Sequence, residues 1–272
     1  MKKIIYLNIL LFIITFGLLL DNKINYSSTI SFLNIGQGDS TLLQSNLGEQ
    51  ILIDCGPPNG PILDRLQTKL GYFDNKIDIL IITHGDNDHY GGCKKVLDNY
   101  NVSKIMINGI IDTQNQDYTN FINEIKKTES VIPAFTNTFI TFNEYEIQIL
   151  NPDHTYWGEE VKDDNEHSIV MNIKSPSKQI LLTGDIPSFK ELNLMNQYPN
   201  LNPDILKISH HGSKHSTSKL FLEKLDPKQA IISAGEKNSF NHPDPSVIDN
   251  LNEKNIEILE TKNYNNSIDI TL

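Results

Sequence analysis

Residues 79–92 read ILIITHGDNDHYGG, and this stretch limits what the rest of the chain can build. Residues 79–83 are apolar or β-branched, with β-branching at four of the five positions, the signature of a strand buried on both faces. The run stops at His84, and Asp86, Asp88 and His89 follow within six positions. Gly85 and the pair Gly91 and Gly92 let the chain turn tightly, so imidazoles and carboxylates can converge from a loop at the strand's end. A solvated turn has no need of such a set. Imidazole with carboxylate suits zinc, manganese or iron.

The same grammar repeats along the chain. Residues 179–182 form an apolar strand that runs into Thr183, Gly184 and Asp185. A third strand, 205–208, runs into Ser209, His210, His211, Gly212 and Ser213, and a fourth, 230–233, leads to a loop holding His242. Four strand ends carrying chelators on one chain point to a composite metal centre. A shared carboxylate such as Asp185 can bridge two divalent ions, and bound metal lowers the pKa of water enough to supply a nucleophile at neutral pH. Asp54, at the end of strand 51–54, reads as a residue that orients a ligand imidazole or caps a turn. Asp39, in the glycine turn 36–40, is likewise placed to orient a neighbour.

Between these points, strands alternate with helices expected at 61–70, 92–100, 117–128, 191–198, 218–225 and 246–251, and a hairpin is expected over 139–150. Strand-rich halves with intervening helices fit one α/β domain over residues 29–272, and no internal repeat is visible. Cys55 and Cys93 suggest no disulfide framework, although both sit near the candidate site.

Lys2 and Lys3 precede an apolar run over residues 4–20. At about 1.5 Å per residue its seventeen positions span roughly 26 Å, enough for a thin bilayer. No small-residue cleavage pattern precedes Asp21, which favours a retained single-pass anchor over a cleaved signal with secretion. Lysines on the inner side place the remainder outside the cell membrane. Residues 1–28 are then anchor and linker.

The motifs FLNIGQGDS, ILIDCG, THGDNDHYGG, LLTGD, LKISHHGSKHS and SAGEKNSFNHP, in this order, resemble the metallo-β-lactamase fold superfamily. Within it, they are most similar to the soluble domain of the ComEC/Rec2 competence proteins. The superfamily pattern His-x-His-x-Asp-His appears here with Asp86 in place of the second histidine. The resemblance covers roughly residues 29–272. It implies a four-layered αβ/βα sandwich, two divalent metal ions (zinc or manganese) and hydrolysis. It implies that His84 and Asp86 ligate the first ion, Asp88 and His89 the second, Asp185 both, and that His242 completes the second site. It leaves His210 and His211 to share metal binding with protonation of the leaving oxygen or a grip on phosphate, beside the catalytic Asp88. Asn165 or His167 stands in for a superfamily histidine that has no clean equivalent.

Phosphodiester hydrolysis is the expected chemistry, with single-stranded DNA as the expected substrate. Lys207, Lys214, Lys219, Lys224 and Lys228, with Ser213 and Ser216, surround the double-histidine loop and read as a phosphate patch. The net charge of -11 argues against a wide nucleic-acid footprint but allows a narrow one. Tyr90, Tyr156 and Trp157 are candidate stacking residues. The alternatives are hydrolysis of a small ester, lactone or β-lactam, and a non-catalytic metal-binding envelope module. No segment marks a protein partner.

Overall fold

A computed structural model describes residues 27–272 except 113, 128–129, 155–157 and 162–163. In the first half, β1 (Thr29–Leu33), β2 (Thr41–Gln44) and β3 (Gln50–Ile53) lead into α1 (Ile62–Leu70) and β4 (Lys76–Ile82). Then come α2 (Asn87–Tyr90), α3 (Cys93–Asn99), β5 (Asn101–Ile107), β6 (Ile111–Asp112), α4 (Gln116–Ile125) and β7 (Val131–Pro133). The second half holds β8 (Phe139–Phe142), β9 (Tyr145–Asn151), β10 (Glu160–Val161), β11 (Val170–Lys174) and β12 (Gln179–Leu182). It continues through α5 (Ser188–Gln197), β13 (Ile205–Lys207), α6 (Lys219–Leu225), β14 (Gln229–Ile232), α7 (Pro245–Glu253), β15 (Glu257–Glu260) and β16 (Ser267–Thr271).

Two seven-stranded mixed sheets result, ordered β16-β1-β2-β3-β4-β5-β7 and β15-β14-β13-β12-β11-β9-β8. Strand alternation explains how they stack. Ile51, Ile53 and Ile81 of the first sheet meet Ile180, Leu182 and Ile205 of the second in a central core. Their neighbours Leu52, Leu80 and Ile82 turn outward onto α1, α3 and α4. Leu181, Leu206 and Ile232 turn outward onto α5, α6 and α7. Two sheets between helical layers make an αβ/βα sandwich, and burial on both faces explains the continuous apolar runs.

Each half proceeds from antiparallel to parallel pairing. In the first sheet β1, β2 and β3 pair antiparallel before β3, β4 and β5 pair parallel, with Ile53 opposite Ile81. In the second, β9, β11 and β12 pair antiparallel before β12, β13 and β14 pair parallel, with Ile180 opposite Ile205. The sequence shows no repeat, yet the strand plan is used twice. Crevices beyond the carboxyl ends of parallel strands bind ligands, and both halves supply such ends.

Three expectations are corrected here. The single-pass membrane placement with an extracytoplasmic domain is not upheld: no helix among the described residues is long and apolar enough to cross a membrane. The run over residues 4–20 lies outside the described residues. Cys55 and Cys93 form a disulfide that ties the end of β3 to the start of α3. The helix expected from residue 218 starts one residue later, because Ser218 is its cap and its side chain accepts from the Phe221 N–H.

Candidate metal centre

β4 ends at Ile82, and the chain then departs into Thr83, His84 and the one-turn helix α2. The buried Asp164 carboxylate accepts from the Gly85 N–H at 2.6 Å and from Asn108 Nδ2 at 2.8 Å, which pins this loop. Asp54, just past β3, adopts a left-handed backbone with φ 58°. Its carboxylate accepts from Thr83 N–H at 2.8 Å, Thr83 Oγ1 at 2.7 Å and His89 Nδ1 at 2.8 Å. The proton on His89 is thereby fixed at Nδ1, and Nε2 faces the site.

The second sheet answers from across the sandwich. The Asp185 N–H donates to Ser168 Oγ at 3.2 Å, anchoring the turn after β12. After β13, Ser209–Gly212 forms a 3₁₀ turn in which His210 and His211 take positive φ of 49° and 54°. Non-glycine residues seldom occupy that region, and clusters of them mark functional sites. Ser209 Oγ stabilises the turn by donating to Ile186 O at 2.7 Å. His211 Nδ1 donates to Ser233 O at 2.8 Å, so its Nε2 also faces inward.

These side chains converge on Asp185. Its Oδ2 lies 3.4 Å from His89 Nε2, 3.5 Å from His211 Nε2, and 3.9 Å from both His84 Nε2 and His210 Nε2. His211 Nε2 is 3.2 Å from Asp88 Oδ2, and His84 Nε2 is 3.5 Å from Asp86 Oδ2. Two sets of donor atoms lie close enough to hold an ion: Asp39, His89, Asp185 and His211, and His84, Asp86 and Asp185. Asp185 belongs to both. His84 Nε2, Asp185 Oδ1 and Asp39 Oδ1 are buried without hydrogen-bond partners. A buried polar atom with no partner costs roughly 1–3 kcal/mol, and a divalent ion among these atoms would relieve several such costs together. The donor chemistry fits one.

Charge behaves accordingly. Burial opposes the ionised Asp185, but His89 and His211 hold its carboxyl well below the usual range. Burial pushes Asp88 up, but the His211 contact and the charges of His89 and His211 together outweigh it, leaving its pKa at about 2. Burial likewise disfavours the charged imidazoles, yet Asp185 and Asp54 raise His89, and Asp185 and Asp39 raise His211 to about 10. His84 is raised by Asp86 and Asp185 against burial and the neighbouring His89. Without metal the imidazoles therefore hold protons, and metal ligation must displace them.

His84, Asp86, Asp88, His89, Asp185, His210 and His211 are thus brought together. His242 approaches the rims of His210 and His211, with ring centroids 5.6 and 6.4 Å apart, but belongs to neither donor set. Burial and the two neighbouring histidines lower its pKa. It also borders a cavity of about 790 Å³ lined by Lys237, Asn238, Asn241 and Lys262. His167 belongs to neither set, and with Asn165 it forms the 3₁₀ turn before Ser168. Ser213 is buried behind His210, its N–H donating to His210 O at 2.8 Å, and Lys214 is exposed. His154 and His215 are exposed.

The lysine patch loses Lys207 to the interior, while Lys214 and Lys224 stay exposed and Lys219 and Lys228 sit in surface ion pairs. Lys207 is buried against Asp39 at 2.7 Å, Lys219 pairs with Glu253 at 2.5 Å, and Lys228 with Asp204 at 2.6 Å. Tyr90 is buried against Tyr118 and Phe121, so it offers no stacking face; Tyr156 and Trp157 lie outside the described residues. Sequence reasoning missed Asp39 as a donor. Its one signal was Gly38, which takes φ 119° and on which a Cβ would lie 2.1 Å from Asp88 O. That contact lets the Asp39 N–H donate to Asp88 O at 3.0 Å, joining the two loops.

The profile of the metallo-beta-lactamase superfamily matches residues 33–236. The chain belongs to this superfamily. It is related to bacterial competence and recombination proteins. It is 29% identical over 255 residues to ComE operon protein 3 of Bacillus subtilis (strain 168), covering 85% of this chain and 31% of that protein. It is 30% identical over 227 residues to Recombination protein 2 of Haemophilus influenzae, covering 82% and 26%. The chain thus spans less than a third of the length of either relative. Among solved structures, the metallo-beta-lactamase fold protein YhfI from Bacillus subtilis superposes with a TM-score of 0.55 at 14% identity, covering 90% of this chain and 99% of that one. CmlA, a diiron beta-hydroxylase from Streptomyces venezuelae, gives 0.57 at 11%, covering 90% and 54%. Such identities speak to fold alone. The superfamily match and the convergent donors are consistent with a metal-dependent hydrolase.

Proposed function

We propose that this hydrolase cleaves phosphodiester bonds of nucleic acid, single strands in preference, and that two divalent ions, zinc or manganese, serve it. The observation that carries the two-ion reading is Asp185, shared between both donor sets. His84 and Asp86 are assigned to one ion, and Asp39, His89 and His211 to the other, with Asp88 against His211 and His242 at the open side. The nucleic-acid half rests on similarity to proteins named for competence and recombination.

When bound, divalent ions lower the pKa of a water molecule and neutralise charge on phosphoryl oxygens. The chain's own residues do the rest. Asp88 is held ionised at neutral pH and can accept a proton at Oδ2. Asp54 keeps His89 in one tautomer and Ser233 does the same for His211. His210, one-third exposed and reaching Asp185 from the solvent side, is positioned to donate a proton to a leaving oxygen. Substrate contacts fall to the exposed Lys214 after the double-histidine turn and to the cavity beside His242, where Lys237 and Asn241 face the solvent.

The test is cleavage of an end-labelled single-stranded oligonucleotide by metal-loaded protein, beside Asp88→Asn prepared identically. Cleavage by wild type alone supports the proposal. If both are inert while a lactone or activated ester is hydrolysed only by wild type, the phosphodiester reading is wrong.

A further inference from the structure

Among the described residues Lys207 is the one lysine or arginine withdrawn from solvent, at 3% exposure. It ends β13, immediately before the strained double-histidine turn. Its ammonium meets Asp39 Oδ2 at 2.7 Å and donates to Ile208 O at 3.0 Å. The other Asp39 oxygen, Oδ1, lies 3.5 Å from His211 Nδ1, whose proton is already committed to Ser233 O. Oδ1 has no hydrogen-bond partner, and Asp39 belongs to the donor set of His89, Asp185 and His211. One carboxylate thus faces two ways, toward a lysine and toward the metal donors.

Stability alone is a weak account of this pair, because removing two charges from water costs about what their attraction returns. Charge at the site is a better one. Asp39, Asp54, Asp86, Asp88 and Asp185 all crowd the same sandwich edge, and Lys207 is the permanent cation among them. A fixed positive charge one carboxylate away from a divalent ion repels it, since the field is little screened in a buried site.

We propose that Lys207 is the resident counter-cation of the metal centre, holding Asp39 in place in the metal-free protein and lowering the affinity of the site for divalent ions. The proposal rests on the reading that these donors bind such an ion. Lys207 is therefore a positioning residue acting through Asp39. It touches neither substrate nor reacting atoms.

The test is a charge series on the full chain. Dissociation constants for Mn²⁺ and Zn²⁺ are measured by competition with a chromophoric chelator, and thermal unfolding is followed in EDTA. Lys207→Met, which leaves Asp39 unopposed, should tighten binding at least tenfold. Asp39→Asn, which leaves Lys207 unopposed, should weaken it at least tenfold. Both should lower Tm in EDTA, because each strands a buried charge. A purely structural role lowers Tm in both but does not move affinity in opposite directions, and that result overturns the proposal. Should Lys207→Met fail to fold even with metal, the comparison moves to the Asp39→Asn background. There, adding Lys207→Met should raise Tm and tighten binding tenfold, and no change overturns the proposal. A wild-type protein that binds neither ion overturns the metal reading as well, whereas a wild type that binds with disordered variants overturns the role of Lys207 alone.

Discussion

His89 Nδ1 donates to Asp54 Oδ2 at 2.8 Å, across the gap between the ends of two adjacent parallel strands. The same carboxylate takes both the N–H and the hydroxyl of Thr83. One residue therefore fixes the tautomer of a metal donor and the exit of the loop that carries it. Outer partners of ligand histidines typically govern metal affinity or activity by roughly 10–100-fold.

Asp54→Asn keeps the left-handed backbone within reach of its side chain and can still accept from Thr83, but it no longer supplies charge to His89. Metal affinity should fall on the order of 10–100-fold with little change in Tm. Asp54→Ala should lose both affinity and stability. Chelator competition and thermal unfolding separate the two effects. An Asp54→Asn protein with wild-type affinity would detach Asp54 from the site.

Gly38→Ala probes the junction of the two loops. A Cβ there would lie 2.1 Å from Asp88 O, and the backbone has φ 119°. Backbone strain of this kind costs about 1–3 kcal/mol, and the clash displaces Asp88 as well. A fall in Tm together with weaker metal binding is expected. Unchanged unfolding would show that the two loops are not locked at this point.

Much of the site was legible because of where chemistry sits in a buried sheet. β4 and β12 are covered on both faces, so each reads as an unbroken apolar run, and the residue that ends the run is exposed to view in the sequence. His84, Asp185, His210 and His211 were found that way. Lys207 was misread for the converse reason: a lysine next to a double-histidine loop looks like surface charge, and only the distant Asp39 makes its burial tolerable. Asp39 itself sits in a glycine turn with nothing local to show that the second sheet closes over it. The Cys55–Cys93 disulfide was also hidden, since two cysteines carry no pairing pattern. The repeated strand plan was invisible because each half fills its sheet with different side chains.

The metal-free protein should have a characteristic pH profile. His211 is raised from 6.5 to about 10, so its contribution to stability is complete below pH 6.5 and is lost as the pH rises through 10. Asp88 is lowered from 3.8 to about 2, so its contribution is complete above pH 3.8 and is lost as the pH falls through 2. In EDTA, Tm should therefore decline steadily between pH 6.5 and 10. Saturating metal should flatten this decline, because ligation needs the neutral imidazole. An alkaline slope equal with and without metal would contradict the placement of His211 among the ligands.

The last prediction concerns the disulfide. Cys55 follows Asp54, its N–H donates to His89 O at 2.8 Å, and the Gly92 N–H beside Cys93 donates to Gly56 O at 2.8 Å. The bridge thus clamps both ends of the segment that carries His89. It closes a loop with a sequence separation of 38, for which the chain-entropy relation gives about 4 kcal/mol. Cys55→Ser/Cys93→Ser should unfold at lower denaturant with that loss, and wild type treated with dithiothreitol in mild denaturant, where the buried sulfurs become reachable, should unfold on the same curve. Because the backbone bonds at His89 remain, the folded variant should still bind metal, though more weakly. Oxidised wild type and the double variant giving superimposable unfolding curves would mean that the bridge contributes no stability and that the backbone bonds alone hold the His89 segment.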